Sequence, residues 1–261
     1  MTGYSLQLNG SERERFRVLA RMAALDEAAD WSSAGIVEGA RIADVGCGPG
    51  ATLRLLAERV GPTGRVVGVD ADPRSVEVAN AVVAAMPQAS VCNGRADATG
   101  LTPATFDVAM CRLVLTHNGG REAAIVSHLA SLVRSGGCVY LADTDISSSW
   151  VTDPVFTEMA DRFSDFHTAC GNDVSVGRKL GDLIEAAGLS VERYRTTGHV
   201  RRVPPGTRGP VWAAKDAMLA AGVIDASDVE RYEARFNRIE ESGIRPWAFM
   251  PVFVAVGRRD A

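Results

Sequence analysis

The sequence predicts an α/β chain built on a doubly wound, mostly parallel sheet with helices on both faces. Three observations predict it: short continuous apolar runs recur from residue 40 onward, segments of helical length separate them, and a glycine-rich turn stands where the first run meets the first of those segments. Continuous rather than alternating apolar runs mark strands covered on both sides, the usual environment of a parallel sheet.

In chain order, residues 11–26 form an amphipathic helix, with Phe16, Leu19, Ala20 and Ala23 at helical spacing behind Ser11. Strands follow at 41–45, 66–70, 90–93, 106–112 and 138–143. Helices fill 50–60, 73–86 and 121–134. The second opens at Asp72-Pro73, with proline at its first position, and the third sets Ile125, His128, Leu129, Leu132 and Val133 on one face before Gly136-Gly137. Past residue 146 the alternation loosens. The pattern there predicts an aromatic-rich helix at 150–170 (Trp150, Phe156, Phe163, Phe166), a helix at 175–187 ended by Gly188, and strands at 190–200 and 249–257. A helical pair spans 209–243, between Pro204-Pro205-Gly206 and Gly243. The sheet thus reaches seven strands. Segments 146–175 and 205–246 read as lids over one domain of 261 residues whose core spans about 35–145.

Composition narrows the function. With 46% apolar and 23% charged residues the chain is globular, and 28 basic against 32 acidic side chains leave a net charge of −4. That balance disfavours a polyanionic partner such as nucleic acid. The five cysteines are scattered and never in CxxC spacing, so they read as small buried hydrophobes in a reducing compartment. No run approaches the length of a membrane span, and the N-terminus is polar rather than signal-like, so the expected location is the cytoplasm. Metal-binding spacings such as HxxxH are absent from the sequence, and Asp143 with Asp145 is too small a set, so no metal is expected. A homodimer is compatible with the composition.

The chemistry is concentrated in Asp44-Val45-Gly46-Cys47-Gly48-Pro49-Gly50-Ala51. Glycines serve there because the backbone turns sharply and approaches a ligand closely, with a helix N-terminus aimed at it. Gly46, Gly48 and Ala51 also satisfy the dinucleotide pattern, so the loop alone leaves a nicotinamide or flavin enzyme open.

Further motifs follow in order. Asp44, Gly46, Gly48 and Gly50 are followed by Val66-Val67-Gly68-Val69-Asp70-Ala71-Asp72, with Asp70 24 residues after Gly46. Next come Asn93-Gly94-Arg95-Ala96-Asp97-Ala98, then 106–112, and then Leu132-Val133-Arg134-Ser135-Gly136-Gly137-Cys138. Over 41–143 this series resembles the class I S-adenosylmethionine-dependent methyltransferases, of the type acting on small molecules. The resemblance implies a Rossmann-like fold and S-adenosylmethionine as cofactor. It implies that Asp70, with Ala71, meets the ribose, that Asp97 and Ala98 meet the adenine, and that the glycine loop, Asp44 and the backbone around Arg112 meet the methionine end. The chemistry agrees: a carboxylate accepts two ribose hydroxyls or an adenine amino group.

The resemblance implies methyl transfer to an oxygen, nitrogen or carbon nucleophile of a secondary or cofactor metabolite. The family's nucleic-acid amine methylases carry a [DNS]PP[FWY] motif after the fourth strand, whereas this chain has Cys111-Arg112-Leu113-Val114. His117, just past that strand, and His167, in the lid, are the candidate general bases; His128 lies on an apolar helix face and reads as a core residue. Tyr4, Trp150, Phe166 and Trp212 are the candidate substrate contacts, although helix-spaced aromatics also build cores. Two rivals stay open. A nicotinamide-dependent oxidoreductase is weakened by the lack of a Tyr-xxx-Lys pair, and a methyltransferase-like protein could retain the cofactor for a non-methyl reaction such as a cyclisation.

Overall fold

The protein is described by a computed structural model over residues 10–206 and 208–260. Strands are β1 (Arg41–Val45), β2 (Arg65–Asp70), β3 (Ala89–Asn93), β4 (Phe106–Arg112), β5 (Val133–Thr144), β6 (Trp150–Val151), β7 (Ser190–Thr197), β8 (Arg201–Arg202), β9 (Trp247–Phe249) and β10 (Val252–Arg258). Helices are α1 (Gly10–Asp26), α2 (Ala28–Ala34), α3 (Ala51–Val60), α4 (Pro73–Val83), α5 (Glu122–Leu132), α6 (Pro154–Ala169), α7 (Leu180–Ala186), α8 (Gly209–Ala213), α9 (Lys215–Ala220) and α10 (Ala226–Ser242).

Seven strands form one sheet in the order β3-β2-β1-β4-β5-β10-β7, parallel from β3 to β5, with β10 antiparallel to both neighbours. Side chains alternate along each strand, so Ile42, Val66, Val108, Met110 and Tyr140 face one layer that includes Trp31, Leu53, Leu56 and Val83. Ala43, Val45, Ala109, Cys111 and Leu141 face the other, with Ile125, Leu129, Leu180 and Ile184. Both faces are therefore covered, as the continuous apolar runs predict. A third core lies in the C-terminal cover, where Met159, Phe163 and Phe166 of α6 pack on Ala214, Met218, Tyr232 and Phe236.

The expected elements are present, with differences in several bounds. Trp150 is not helical. The Asp153 side chain accepts from Val155 N and Phe156 N (3.1 and 3.4 Å) and Pro154 follows as the first helical residue, so α6 starts there, leaving Trp150 in a small β6-β9-β8 sheet. The helix expected to run to residue 134 ends at Leu132, because Val133 already pairs with Phe106, and Gly136 N and Gly137 O bond Arg259 O and N. Segment 175–187 opens as a 3-10 turn at Val176–Lys179 and becomes α-helical only from Leu180. Segment 209–243 divides into three helices rather than two, and α2 is an additional short helix.

Candidate active site

The chain leaves β1 toward the α3 face and leaves β4 toward the α5 face, so a crevice opens between the carboxyl ends of these two neighbours. Such a switch point is where open α/β sheets bind ligands. Gly46, Gly48 and Gly50 line it at φ of +79°, +52° and +83°, the left-handed region that disfavours a Cβ. A Cβ on Gly46 would stand 2.3 Å from Val114 Cγ2, and one on Gly48 3.7 Å from Phe16 Cε1, which shows α1 lying over the loop.

The acids of the crevice differ in their partners. Asp70, at the end of β2, accepts from Gly48 N (2.8 Å) and Asp72 N (2.9 Å). Burial raises its pKa while those two N–H groups oppose the rise. Asp72 caps α4 through Arg74 N and Ser75 N, so capping belongs to Asp72 and leaves Asp70 aimed at the crevice. Ala71 is exposed beside it, and its carbonyl accepts from Asn93 Nδ2 (3.2 Å). Asp97 is gripped by Arg95 (3.1 Å) and by Arg121 Nη2 (2.6 Å), whose hydrogen bonds hold its carboxyl well below the usual range. Ala98 N closes the adjoining turn onto Arg95 O (3.0 Å). An adenine amino group at Asp97 would share the carboxylate with these guanidinium groups.

Asp44 is 2% exposed and its Oδ2 has no hydrogen-bond partner among the described residues. Burial, with the Asp70 carboxylate nearby, pushes its pKa up to about 7 against the pull of Arg112. The Arg112 side chain is committed to Glu27 (Nη2–Oε1 2.8 Å), and the Tyr140 hydroxyl donates to the other oxygen, Oε2 (2.8 Å). Glu27 is 1% exposed and follows α1, four residues past Ala23 on the apolar stripe. A buried charge there was legible only as that misplaced acid, and sequence reasoning missed it.

The two candidate bases, 50 residues apart, come together: the His117 and His167 rings lie 5.2 Å between centroids. The Asp143 carboxylate accepts from Leu115 N (2.9 Å) and Thr116 N (3.3 Å), holding the turn that carries His117. Thr116 Oγ1 donates to Asp173 O (3.2 Å), and Gly119 approaches Gly171 so closely that a Cβ would stand 1.7 Å from its oxygen. The end of the α6 segment is thus seated on the turn after β4. Burial, followed by His167 and then Arg15, pushes the His117 pKa down to about 3, and burial lowers that of His167. His128 is satisfied by Thr99, whose N and Oγ1 lie 3.1 and 2.8 Å from its Nε2.

The aromatic candidates do not converge. Phe166 sits in the core of the cover, and Trp212 packs edge-on to Phe236 (5.1 Å) in the same cluster. Trp150 is 43% exposed and stacks on Phe249 (6.0 Å). Tyr4 lies outside the described residues. Asn172, Arg121 and Asp143 carry no sequence signal that marks them for this site. Among the described residues no three His, Cys, Asp or Glu side chains gather as a metal ion would require, and no helix is long and apolar enough to cross a membrane.

Residues 42–137 match the family model described as a methyltransferase domain. The chain is 32% identical over 111 residues to a ubiquinone biosynthesis O-methyltransferase of Leptothrix cholodnii, covering 41% of this chain and 46% of that protein. It is 49% identical over 70 residues to a trans-aconitate 2-methyltransferase of Streptomyces avermitilis, covering 25% and 24%. The chain thus spans less than half the length of the curated relatives it matches. Its fold superposes on a candidate methyltransferase of Bacillus halodurans with a TM-score of 0.61 at 15% identity, covering 89% of this chain and 98% of that one.

Proposed function

We propose that the protein, whose residues 42–137 match a methyltransferase domain, is a class I enzyme that uses S-adenosylmethionine to methylate a small molecule held between the carboxyl edge of the sheet and the C-terminal cover. The observation that carries this reading is the buried Asp44 carboxylate, unpaired at Oδ2 beside three left-handed glycines. A buried acid without a partner is destabilising by itself and suits a ligand that brings an ammonium group.

The donor set fits the rest of S-adenosylmethionine. Asp70 keeps acceptor capacity beyond its two backbone bonds and would take the ribose hydroxyls; the Asp97–Ala98 turn would meet the adenine, and the glycine loop the methionine end. When bound, the cofactor supplies a methyl group on a positively charged sulfur. What the chain contributes is orientation and exclusion of water, for which well-placed reactants gain roughly 7–11 kcal/mol. α1 covers the donor loop, and the cover encloses the acceptor side. His117 and His167, neutral at physiological pH, would exchange a proton or hydrogen bond with the acceptor. The net charge of −4 favours a small acceptor over a nucleic acid. The whole 261-residue chain would act as one catalytic domain.

Calorimetric titration with S-adenosylmethionine, S-adenosylhomocysteine and NADH tests the donor site. Both sulfur ligands should bind and NADH should not. Asp70→Ala should weaken S-adenosylhomocysteine by about 1.5–3 kcal/mol, the scale of hydrogen bonds to a charged group, in a variant that remains folded. An unchanged affinity would remove Asp70 from the site. Methyl-labelled cofactor added to cell extract identifies the acceptor. Label in small molecules supports the reading, and label confined to protein or nucleic acid overturns the acceptor class.

A further inference from the structure

We propose that Asn172 is a positioning residue that holds His167 as its Nε2–H tautomer, making His167 a hydrogen-bond donor to the acceptor rather than a base. This rests on the acceptor site proposed above, and it separates the roles of two histidines that the sequence leaves equivalent.

The tautomer follows from a chain of donors. The backbone N–H of Gly119 can only donate, so the Asn172 atom 3.2 Å from it is the carbonyl Oδ1. The other end of that amide is therefore the NH2 group, which also can only donate, and it lies 3.0 Å from His167 Nδ1. A ring nitrogen facing a donor must present its lone pair. A neutral imidazole has one N–H, so it stands on Nε2. Protonating His167 would set an N–H against the Asn172 NH2, so this contact and burial both keep the ring neutral. Asn172 is tied to His167 a second time, its backbone N donating to His167 O (2.9 Å).

The Nε2 thus fixed as a donor belongs to a residue only 2% exposed and has no hydrogen-bond partner among the described residues. A buried, unsatisfied donor costs stability unless a ligand meets it. The His167 ring stands beside that of His117, 5.2 Å between centroids, at the place where the cover meets the turn after β4. An oxygen nucleophile suits this donor. It can accept the Nε2–H bond with one lone pair and keep another for attack; a hydroxyl or enol would pass its proton to His117, and a carboxylate has none to lose. A neutral amine has a single lone pair, which the same hydrogen bond would block. The geometry therefore points to a hydroxyl, enol or carboxyl acceptor.

Long-range 1H–15N spectra of histidine-labelled protein saturated with S-adenosylhomocysteine test this directly. The expected spectrum shows His167 protonated on Nε2 and not on Nδ1, unchanged across about pH 6 to 8. Asn172→Asp keeps an oxygen for Gly119 N–H but replaces the NH2 by an acceptor. It should move the His167 proton to Nδ1 and slow label transfer into the small-molecule fraction about tenfold or more, with S-adenosylhomocysteine affinity within about twofold. A merely structural role for Asn172 would leave the tautomer where it was. Wild-type His167 protonated on Nδ1, or the same tautomer in both proteins, overturns the proposal. The wild-type spectrum decides even if the variant does not fold. Failure of S-adenosylhomocysteine to bind would instead overturn the donor-site reading, since the tautomer is read independently of that affinity.

Discussion

Asp44 on β1 and His117 beyond β4 stand at the ends of neighbouring strands, and burial moves them in opposite directions, the acid up to about 7 and the imidazole down to about 3. Both shifts have one physical cause, since a low dielectric disfavours charge of either sign. The consequence is a crevice edge where His117 is neutral at physiological pH and Asp44 stands near its titration midpoint. The supports differ. Asp44 lies among sheet strands with Arg112 and Tyr140 beside it, and Glu27, between α1 and α2, locks those two together. His117 depends on contacts between elements far apart in sequence: Asp143 beneath its turn, and His167, Asn172 and Asp173 from the cover. The Asp44 edge thus rests on the sheet and α1, and the His117 edge forms only where the cover docks.

The largest effect should come from the layer beside Asp44. Arg112→Met leaves Glu27 buried without its counter-charge, and loss of one partner from a buried pair costs about 3–5 kcal/mol. Urea unfolding measures it. A loss below about 1 kcal/mol would show that the buried pair contributes little, and would erase the contrast between the Asp44 edge and the His117 edge.

An intermediate effect separates the two groups by pH. The folded-state pKa of Asp44 is raised from 3.8, so its contribution to stability is present below about 4 and is lost as pH rises through about 7. The folded-state pKa of His117 is lowered from 6.5, so its contribution is present above about 6.5 and is lost as pH falls toward about 3. Relative to wild type, Asp44→Asn should gain stability as pH rises across the first window, and His117→Gln should gain as it falls across the second, by on the order of 1 kcal/mol or more. Thermal unfolding at a series of pH values reads both slopes. Difference curves running the same way in the two variants would break the comparison.

The smallest effect probes the seat of the cover. Thr116→Val removes the hydroxyl that bonds Asp173 O, and should cost about 0.5–1.5 kcal/mol. Hydrogen exchange at 171–174 should quicken in this variant while exchange in β1 and β4 stays as it was. Equal quickening in the strands would mean that the cover and the sheet open together.

The sheet and the glycine loop were legible because their determinants are local. Continuous apolar runs announce strands covered on both faces, and a tight strand-to-helix turn has few residue choices, so Gly46, Gly48 and Gly50 mark it wherever it occurs. Asp70 at a strand end and Asp72 before Pro73 likewise follow from positions a few residues apart. The helix after β4 ends two residues before its pattern does because that boundary is decided by distant partners, Phe106 and Arg259, whereas the start of α6 is a local signal that the aromatic spacing around Trp150 obscures: Asp153-Pro154 repeats the cap and proline of Asp72-Pro73.

From order and spacing alone, the chain declares a doubly wound sheet, the glycine turn and the acids that follow it. What it does not declare is which buried groups meet. Glu27 reaches Arg112 across 85 positions, and Asn172 reaches Gly119 across 53. Helical and strand periodicities report only which face a residue takes, whereas an ion pair or a tautomer is set by distances of a few ångströms between side chains on different elements. Those distances exist only once the cover and α1 have packed on the sheet, because it is packing, rather than neighbourhood in the chain, that takes these groups out of water and leaves them one another as partners.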